Sequence, residues 1–170
     1  MPQTEISKSA STYSRLATTE DIELLVKFIN RAFVRDNYFK RTDRINSEQV
    51  EEYLRKGHFL LLEEQGELAA LVYVELREND HGYVGLLTVN PDKQGRGTGR
   101  QLMRSAENFC RHHACSIAEI DVINLRPELV DWYCGQGYQV VGEAPYPRPE
   151  ILIRPCHFIS LQKNLETLES

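Results

Sequence analysis

Two hydrophobic periods alternate along the chain, one near 3.6 residues and one near two, and their order predicts its elements. Tyr13-Ser14-Arg15-Leu16-Ala17 reads as a first strand. Thr18 ahead of Glu20 and Asp21 suits a helix start, and Ile22, Leu25, Val26, Ile29, Ala32 and Phe33 continue it as one apolar stripe. Val34 to Arg44 has mixed charge and no period, which makes it a loop. Asn46 or Ser47 can cap a short helix from Glu48 to Lys56 with Val50, Tyr53 and Leu54 inward. His58 to Glu63 and Glu67 to Leu76 flank Gln65-Gly66 as an antiparallel hairpin, and a second turn near Asn79-Asp80-His81-Gly82 leads into a strand from Gly82 to Val89.

Beyond that strand, Leu102, Met103, Ala106, Phe109 and Cys110 recur at helical spacing, burying one face of a helix from about Thr98 to Ala114. Ile117, Ile120 and Val122 mark a strand from Ser116 to Ile123, with acidic Glu119 and Asp121 among them. Pro127 opens a second late helix whose Leu129, Val130, Trp132 and Tyr133 face inward until Gly135 and Gly137 end it. Tyr138 to Gly142 is a strand, Pro145, Pro147 and Pro149 stiffen the next segment, and Cys156 to about Leu161 is the last strand. Met1 to Thr12 has no apolar period and reads as a disordered tail, leaving one domain over residues 13–165.

Candidate chemistry concentrates between the Gly82–Val89 strand and the Thr98 helix, at Gln94-Gly95-Arg96-Gly97-Thr98-Gly99-Arg100. Glycines in a strand-to-helix turn let backbone N–H groups approach a ligand where the helix carries partial positive charge. That describes a phosphate cradle, with Arg96 and Arg100 at its rim. A P-loop is excluded, because Gly99 is followed by Arg100-Gln101 rather than Lys and Ser or Thr. A dinucleotide fingerprint fits Gly95 and Gly97 but meets Arg100 where its third Gly belongs.

Composition narrows the class further. A chain of 170 residues with 41% hydrophobic content suffices for one sizeable core. The absence of a long apolar run or a signal-like N-terminus leads us to expect a soluble, cytoplasmic protein without membrane partners. The net charge of −5, with both signs interspersed, argues against nucleic acid and leans toward a cationic acceptor. Cys110, Cys115, Cys134 and Cys156 form no disulfide framework. Cys110 and Cys115, with His112 and His113 between, fall on different helix faces without a second CxxC, so no metal site is expected.

The glycine turn and its approach, Val89-Asn90-Pro91 followed by Gln94-Gly95-Arg96-Gly97-Thr98-Gly99, resemble the central motif of the GCN5-related N-acetyltransferases (GNAT). A second similarity runs from Asn124 through Trp132-Tyr133-Cys134-Gly135-Gln136-Gly137-Tyr138, and the resemblance spans about Ser14 to Lys163. It implies an α/β (α+β) fold with a mixed, mostly antiparallel central sheet flanked by helices, in the order β-α-α-β-β-β-α-β-α-β-β. The predicted elements have that order.

The implied function is acetyl transfer from acetyl-CoA, as co-substrate, directly to a primary amine of a small molecule or peptide, by a monomer or homodimer. Gln94 to Arg100 would hold the pyrophosphate, while main-chain groups at Leu87, Thr88 and Val89 would meet the pantetheine and polarise the thioester carbonyl. Asn124 is a further candidate cofactor contact. Tyr133 matches the residue that protonates the departing thiolate, a task suited to a phenol of ordinary pKa about 10. Many relatives carry a general-base Glu eleven positions before the Gln; here that position is Tyr83.

Glu75, Glu119, Asp121 and His157 are the candidate bases. A Cys156 nucleophile activated by His157 is disfavoured, because strand neighbours point to opposite faces. The irregular segments Val34–Arg44 and Ala144–Pro155, with Tyr38, Phe39, Tyr146 and Arg148, are expected to build the acceptor site. The missing carboxylate at position 83 also allows an alternative function, a catalytically inactive CoA-binding sensor or interaction module.

Overall fold

The computed structural model describes residues 13–33 and 44–165. The expected tail over Met1 to Thr12 lies outside the described residues, as does most of the Val34–Arg44 loop, including Tyr38 and Phe39. Seven strands form one sheet: β1 (Arg15–Leu16), β2 (His58–Glu64), β3 (Glu67–Arg77), β4 (His81–Val89), β5 (Ile117–Ile123), β6 (Gln139–Pro145) and β7 (His157–Asn164). Among the described residues four α-helices accompany them, α1 (Ile22–Ala32), α2 (Ser47–Lys56), α3 (Thr98–His112) and α4 (Pro127–Cys134). Their chain order is the expected one, with short 3₁₀ turns added. The sheet runs β1-β2-β3-β4-β5-β7-β6 and is antiparallel except between β4 and β5.

Local chemistry accounts for the element ends. Thr18 and Asp21 form a reciprocal cap on the 3₁₀ turn that leads into α1, and Arg15 grips both Asp21 oxygens at 2.9 Å. Asn46 and Gln49 exchange the same kind of bonds at the start of α2. Gln65 and Gly66 both have positive φ, as do Asn79 and Asp80, so both hairpins turn with the hand that matches strand twist. α3 stops two residues earlier than its apolar spacing suggests. Ala114 adopts φ 65°, and Cys115 N–H reaches back to the Cys110 carbonyl at 2.9 Å.

The late strands differ from expectation in extent and placement. β6 continues through Pro145, opposite His157, a residue type that an edge strand tolerates. β7 runs on to Asn164 and inserts between β5 and β6.

Two cores lie on opposite faces of the sheet. Under α3, Leu102, Met103, Ala106 and Cys110 meet Leu60, Val72, Val74, Val84, Ile120 and Val122. Under α1 and α2, Leu25, Ile29 and Val50 meet Phe59, Leu61, Leu71 and Tyr73. Each such buried Leu, Ile, Val, Phe or Met contributes about 1.5–3 kcal/mol. Burial also pushes the Cys110 thiol up to about 12, with Cys115 beside it. Gly82 is required there: a Cβ would lie 2.4 Å from the Cys110 sulfur. Beneath α3, the nearly buried Glu107 accepts bonds from Tyr138 Oη at 2.8 Å and Lys163 Nζ at 2.9 Å.

Among the described residues, no helix is long and apolar enough to cross a membrane. Nor is any group of three or more His, Cys, Asp or Glu among them placed to hold a metal ion.

Candidate active site

β4 and β5 pair only at their starts, over His81–Tyr83 and Ile117–Glu119. β5 then stays with β7 as far as Ile123 opposite Phe158, while β4 stays with β3 up to Val89. The two parallel strands therefore part, and a cleft of about 810 Å³ lies between them. Its walls include β4 from Tyr83 to Val89 and β5 from Ile120 to Ile123.

A bulge shapes the β4 wall. Tyr73 pairs with Gly85 and Leu71 with Thr88, so one extra β4 residue occupies the interval. Leu86 takes φ 55° there, and Thr88 Oγ1 donates to its carbonyl at 2.7 Å. The extra residue reverses the side-chain alternation. Val84 and Leu87 join the α3 core, whereas Tyr83 and Leu86 join the α1–α2 core. Beyond the bulge, Leu87, Thr88 and Val89 line the cleft.

The glycine turn closes one end. Asn90 Oδ1 accepts from Asp92 N–H at 2.9 Å, and Gln94 Nε2 donates to the Val89 carbonyl at 3.3 Å, folding the loop back on its own strand. Gly95 (φ 84°) and Gly97 (φ 79°) are left-handed, and a Cβ on either would meet nothing within 4 Å. α3 begins at Thr98, so its unpaired first-turn amides face the same end. Gln94, Gly95, Gly97, Thr98, Gly99 and Arg100 line the cleft together with Lys93; Arg96 is exposed and does not.

α4 supplies the opposite wall. Gly99 lets Trp132 pack against the start of α3, where a Cβ would touch the indole at 3.5 Å. Tyr133 follows on the cleft lining, half-buried, edge-on to Trp132 at 4.9 Å and to Tyr138 at 5.9 Å. Burial alone pushes its phenol up to about 12, and among the described residues its hydroxyl has no hydrogen-bond partner. Such a group stays protonated at neutral pH, on a residue that lines the gap.

The remaining candidates are distributed unevenly. Glu75 does not line the cleft: its carboxylate accepts from Tyr73 Oη at 2.9 Å and Arg77 Nε at 3.0 Å. Glu119 is taken by His81 at 2.9 Å and Arg77 at 3.5 Å. His157 also lies off the cleft, 3.6 Å from Glu143, while its neighbour Phe158 lines it.

Asn124 is used structurally. Its Oδ1 accepts from His157 N–H and its own N–H donates to the His157 carbonyl, both at 2.9 Å, which clasps the end of β5 to the start of β7. Asp121 does line the cleft, and so does Tyr146; Arg148 pairs instead with Glu150 at 3.1 Å. Sequence reasoning missed Arg126, Glu128 and the cleft face of Trp132. The Pro127 helix start was the signal that placed Arg126 and Glu128 beside one another.

Comparison with known proteins bears on this geometry. A family model described as an acetyltransferase (GNAT) domain matches residues 19–152. The chain belongs to the GNAT acetyltransferase family. No curated protein sequence matches it.

Solved structures share the fold at low identity. A ribosomal-protein-alanine N-acetyltransferase from Brucella melitensis aligns with TM-score 0.71 at 17% identity, over 89% of this chain and 98% of its own. The ribosomal-protein-S18-alanine N-acetyltransferase from Escherichia coli aligns with TM-score 0.70 at 14% identity, over 92% and 96%. A GNAT family acetyltransferase from Elizabethkingia anophelis with acetyl-CoA bound aligns with TM-score 0.64 at 15% identity, over 69% and 82%.

As a GNAT acetyltransferase the protein is an acyltransferase with acetyl-CoA as co-substrate. The residues present fit that molecule. Two left-handed glycines with open space above them, the first amides of α3 and the Arg100 side chain suit a pyrophosphate. The parted strands beside them suit an extended pantetheine arm.

Proposed function

We propose that the protein moves an acetyl group from acetyl-CoA directly to a primary amine of a small molecule or peptide. The observation that carries this reading is the continuous cleft lined by the glycine turn, the parted strands β4 and β5, and Tyr133. A donor held by its phosphates at Gly95–Arg100 extends along β4 and leaves its thioester near the bulge. Main-chain N–H groups at Leu87 to Val89 are suited to polarise the carbonyl there.

The amine nitrogen, freed of a proton, attacks the carbonyl carbon. The new C–N bond forms, the C–S bond breaks, the thiolate takes a proton from Tyr133 Oη, and the second proton that the nitrogen sheds as the amide forms returns the phenolate to its phenol. The raised pKa of Tyr133 supports this role, because the phenol arrives protonated at any physiological pH. No cysteine lies on the cleft lining, which supports transfer without an acyl-enzyme.

The test is thiol release from acetyl-CoA across a panel of amines, with each product weighed by mass spectrometry. The expected result is amine-dependent release and a product heavier by one acetyl group. Donor binding without release for every amine would favour the inactive CoA-binding module instead.

A further inference from the structure

The sheet face covered by α1 and α2 over β2 to β4 continues onto β5, β7 and β6. Among the described residues no helix packs on that continuation. Register decides what it presents. Tyr83 pairs with Glu119, Asp121 with Ser160, and Ile123 with Phe158. Paired residues share a face, so Tyr83, Glu119, Asp121, Ser160 and Phe158 all project from this open side.

Its carboxylates are not equivalent. Glu75 and Glu119 are neutralised by the Arg77 guanidinium, and neither lines the cleft. Glu128 lines it but is paired with Arg126. Asp121 lines it too, and among the described residues its polar partner is the neutral Ser160 hydroxyl at 3.0 Å. Aromatic rings stand on the same lining, the Tyr146–Phe158 pair with centroids 5.4 Å apart; the Tyr83 ring is taken by the Arg77 guanidinium at 4.2 Å. Arg44 sits on the α1 side, over the Phe33 ring at 5.4 Å. A carboxylate with no cation paired to it among the described residues, set beside aromatic faces, is suited to an organic ammonium ion.

We propose that Asp121 is the acceptor-binding residue, its carboxylate holding the primary ammonium of the substrate while the hydrocarbon body rests on Phe158 and Tyr146. This rests on the transferase reading above and names the acceptor as a cationic amine with an apolar body. The seat lies on the opposite side of the β4–β5 gap from Tyr133, which reaches the cleft from α4. Amine and acid thus flank the thioester from two sides. Tyr83 fills the β4 position with a neutral phenol, and the acidic group is supplied one strand over.

The test titrates CoA-saturated protein with 2-phenylethylamine at neutral pH, reading the fluorescence of Trp132, the sole tryptophan and a cleft residue. The uncharged 2-phenylethanol serves as the isostere. The wild type should bind the amine about tenfold or more tighter than the alcohol, the scale of a hydrogen bond to a charged group. Asp121→Asn should erase that preference and leave acetyl-CoA affinity within about twofold.

The isosteric amide keeps the fold testable, and Glu143→Gln, which removes another exposed carboxylate, should change nothing. Failure of the wild type to bind the amine, or equal amine affinity in Asp121→Asn, would overturn the proposal. A parallel loss of acetyl-CoA affinity in that variant would overturn it too, by making Asp121 a structural residue. Amine binding that depends on Asp121 without acetyl transfer would reject the transferase reading and leave the seat standing.

Discussion

Replacing Tyr133 by Phe separates chemistry from architecture, because the substitution removes a hydroxyl that bonds to nothing among the described residues. The ring keeps its edge-on packing on Trp132 and Tyr138, so folding loses no apolar contact. Stability should stay within about 1 kcal/mol of wild type, a shift in Tm of at most about 4 °C for a chain of this size. Catalysis should suffer much more. Loss of a positioned general acid lowers kcat by roughly 10²- to 10⁴-fold, with acetyl-CoA affinity unchanged.

The neighbouring tyrosine supplies the contrast. Tyr138 Oη donates to the nearly buried Glu107 carboxylate at 2.8 Å, so Tyr138→Phe should cost about 1.5–3 kcal/mol of stability. Its kcat should stay near wild type. Thermal melts, calorimetric binding and thiol-release kinetics on both variants make the comparison. A Tyr133→Phe protein with normal kcat, or one that loses stability as Tyr138→Phe does, would refute the assignment of Tyr133 as the acid.

Gly97→Val should lower acetyl-CoA affinity, since its side chain enters open cleft space, whereas Gly66→Val, equally left-handed but in the β2–β3 turn, should cost only stability, about 1–2 kcal/mol; calorimetric titration of both distinguishes them. Lys163→Met leaves the Glu107 carboxylate without its cation and should cost about 3 kcal/mol or more in urea unfolding, recovered in large part by adding Glu107→Gln. The Arg15 guanidinium holds the Asp21 carboxyl below its ordinary value of 3.8. The stability from that pair is therefore complete above the unfolded value and is lost as pH falls through the lower folded one. Asp21→Asn should flatten that acid-side decline in urea midpoints, and an unchanged slope would contradict the pairing.

What the sequence revealed divides along physical lines. The glycine turn was legible because left-handed φ and close approach leave few choices of residue. α3 was legible because five apolar positions at helical spacing have only one face to bury. The bulge at Leu86 was not, since a leucine carries no mark of positive φ; the pairing of β3 with β4 imposes it. Nor was the insertion of β7 between β5 and β6, which depends on long-range pairing.

Among the acidic candidates, alternation places Glu75, Glu119 and Asp121 on one face without saying which is neutralised. Arg77 settles that for two of them through contacts that span three strands. Asn124 shows the converse: a motif-like position can be consumed by a backbone clasp.

Acetyl-CoA is proposed to lie in the gap between β4 and β5. The direct test is calorimetric titration of the purified protein with acetyl-CoA, repeated with the Gly97→Val and Tyr133→Phe variants. The expected result is one donor per chain, nearly unchanged affinity in the tyrosine variant, and much weaker binding in the glycine variant. Absence of binding to the wild type, or undiminished binding when the glycine turn is filled, would contradict it.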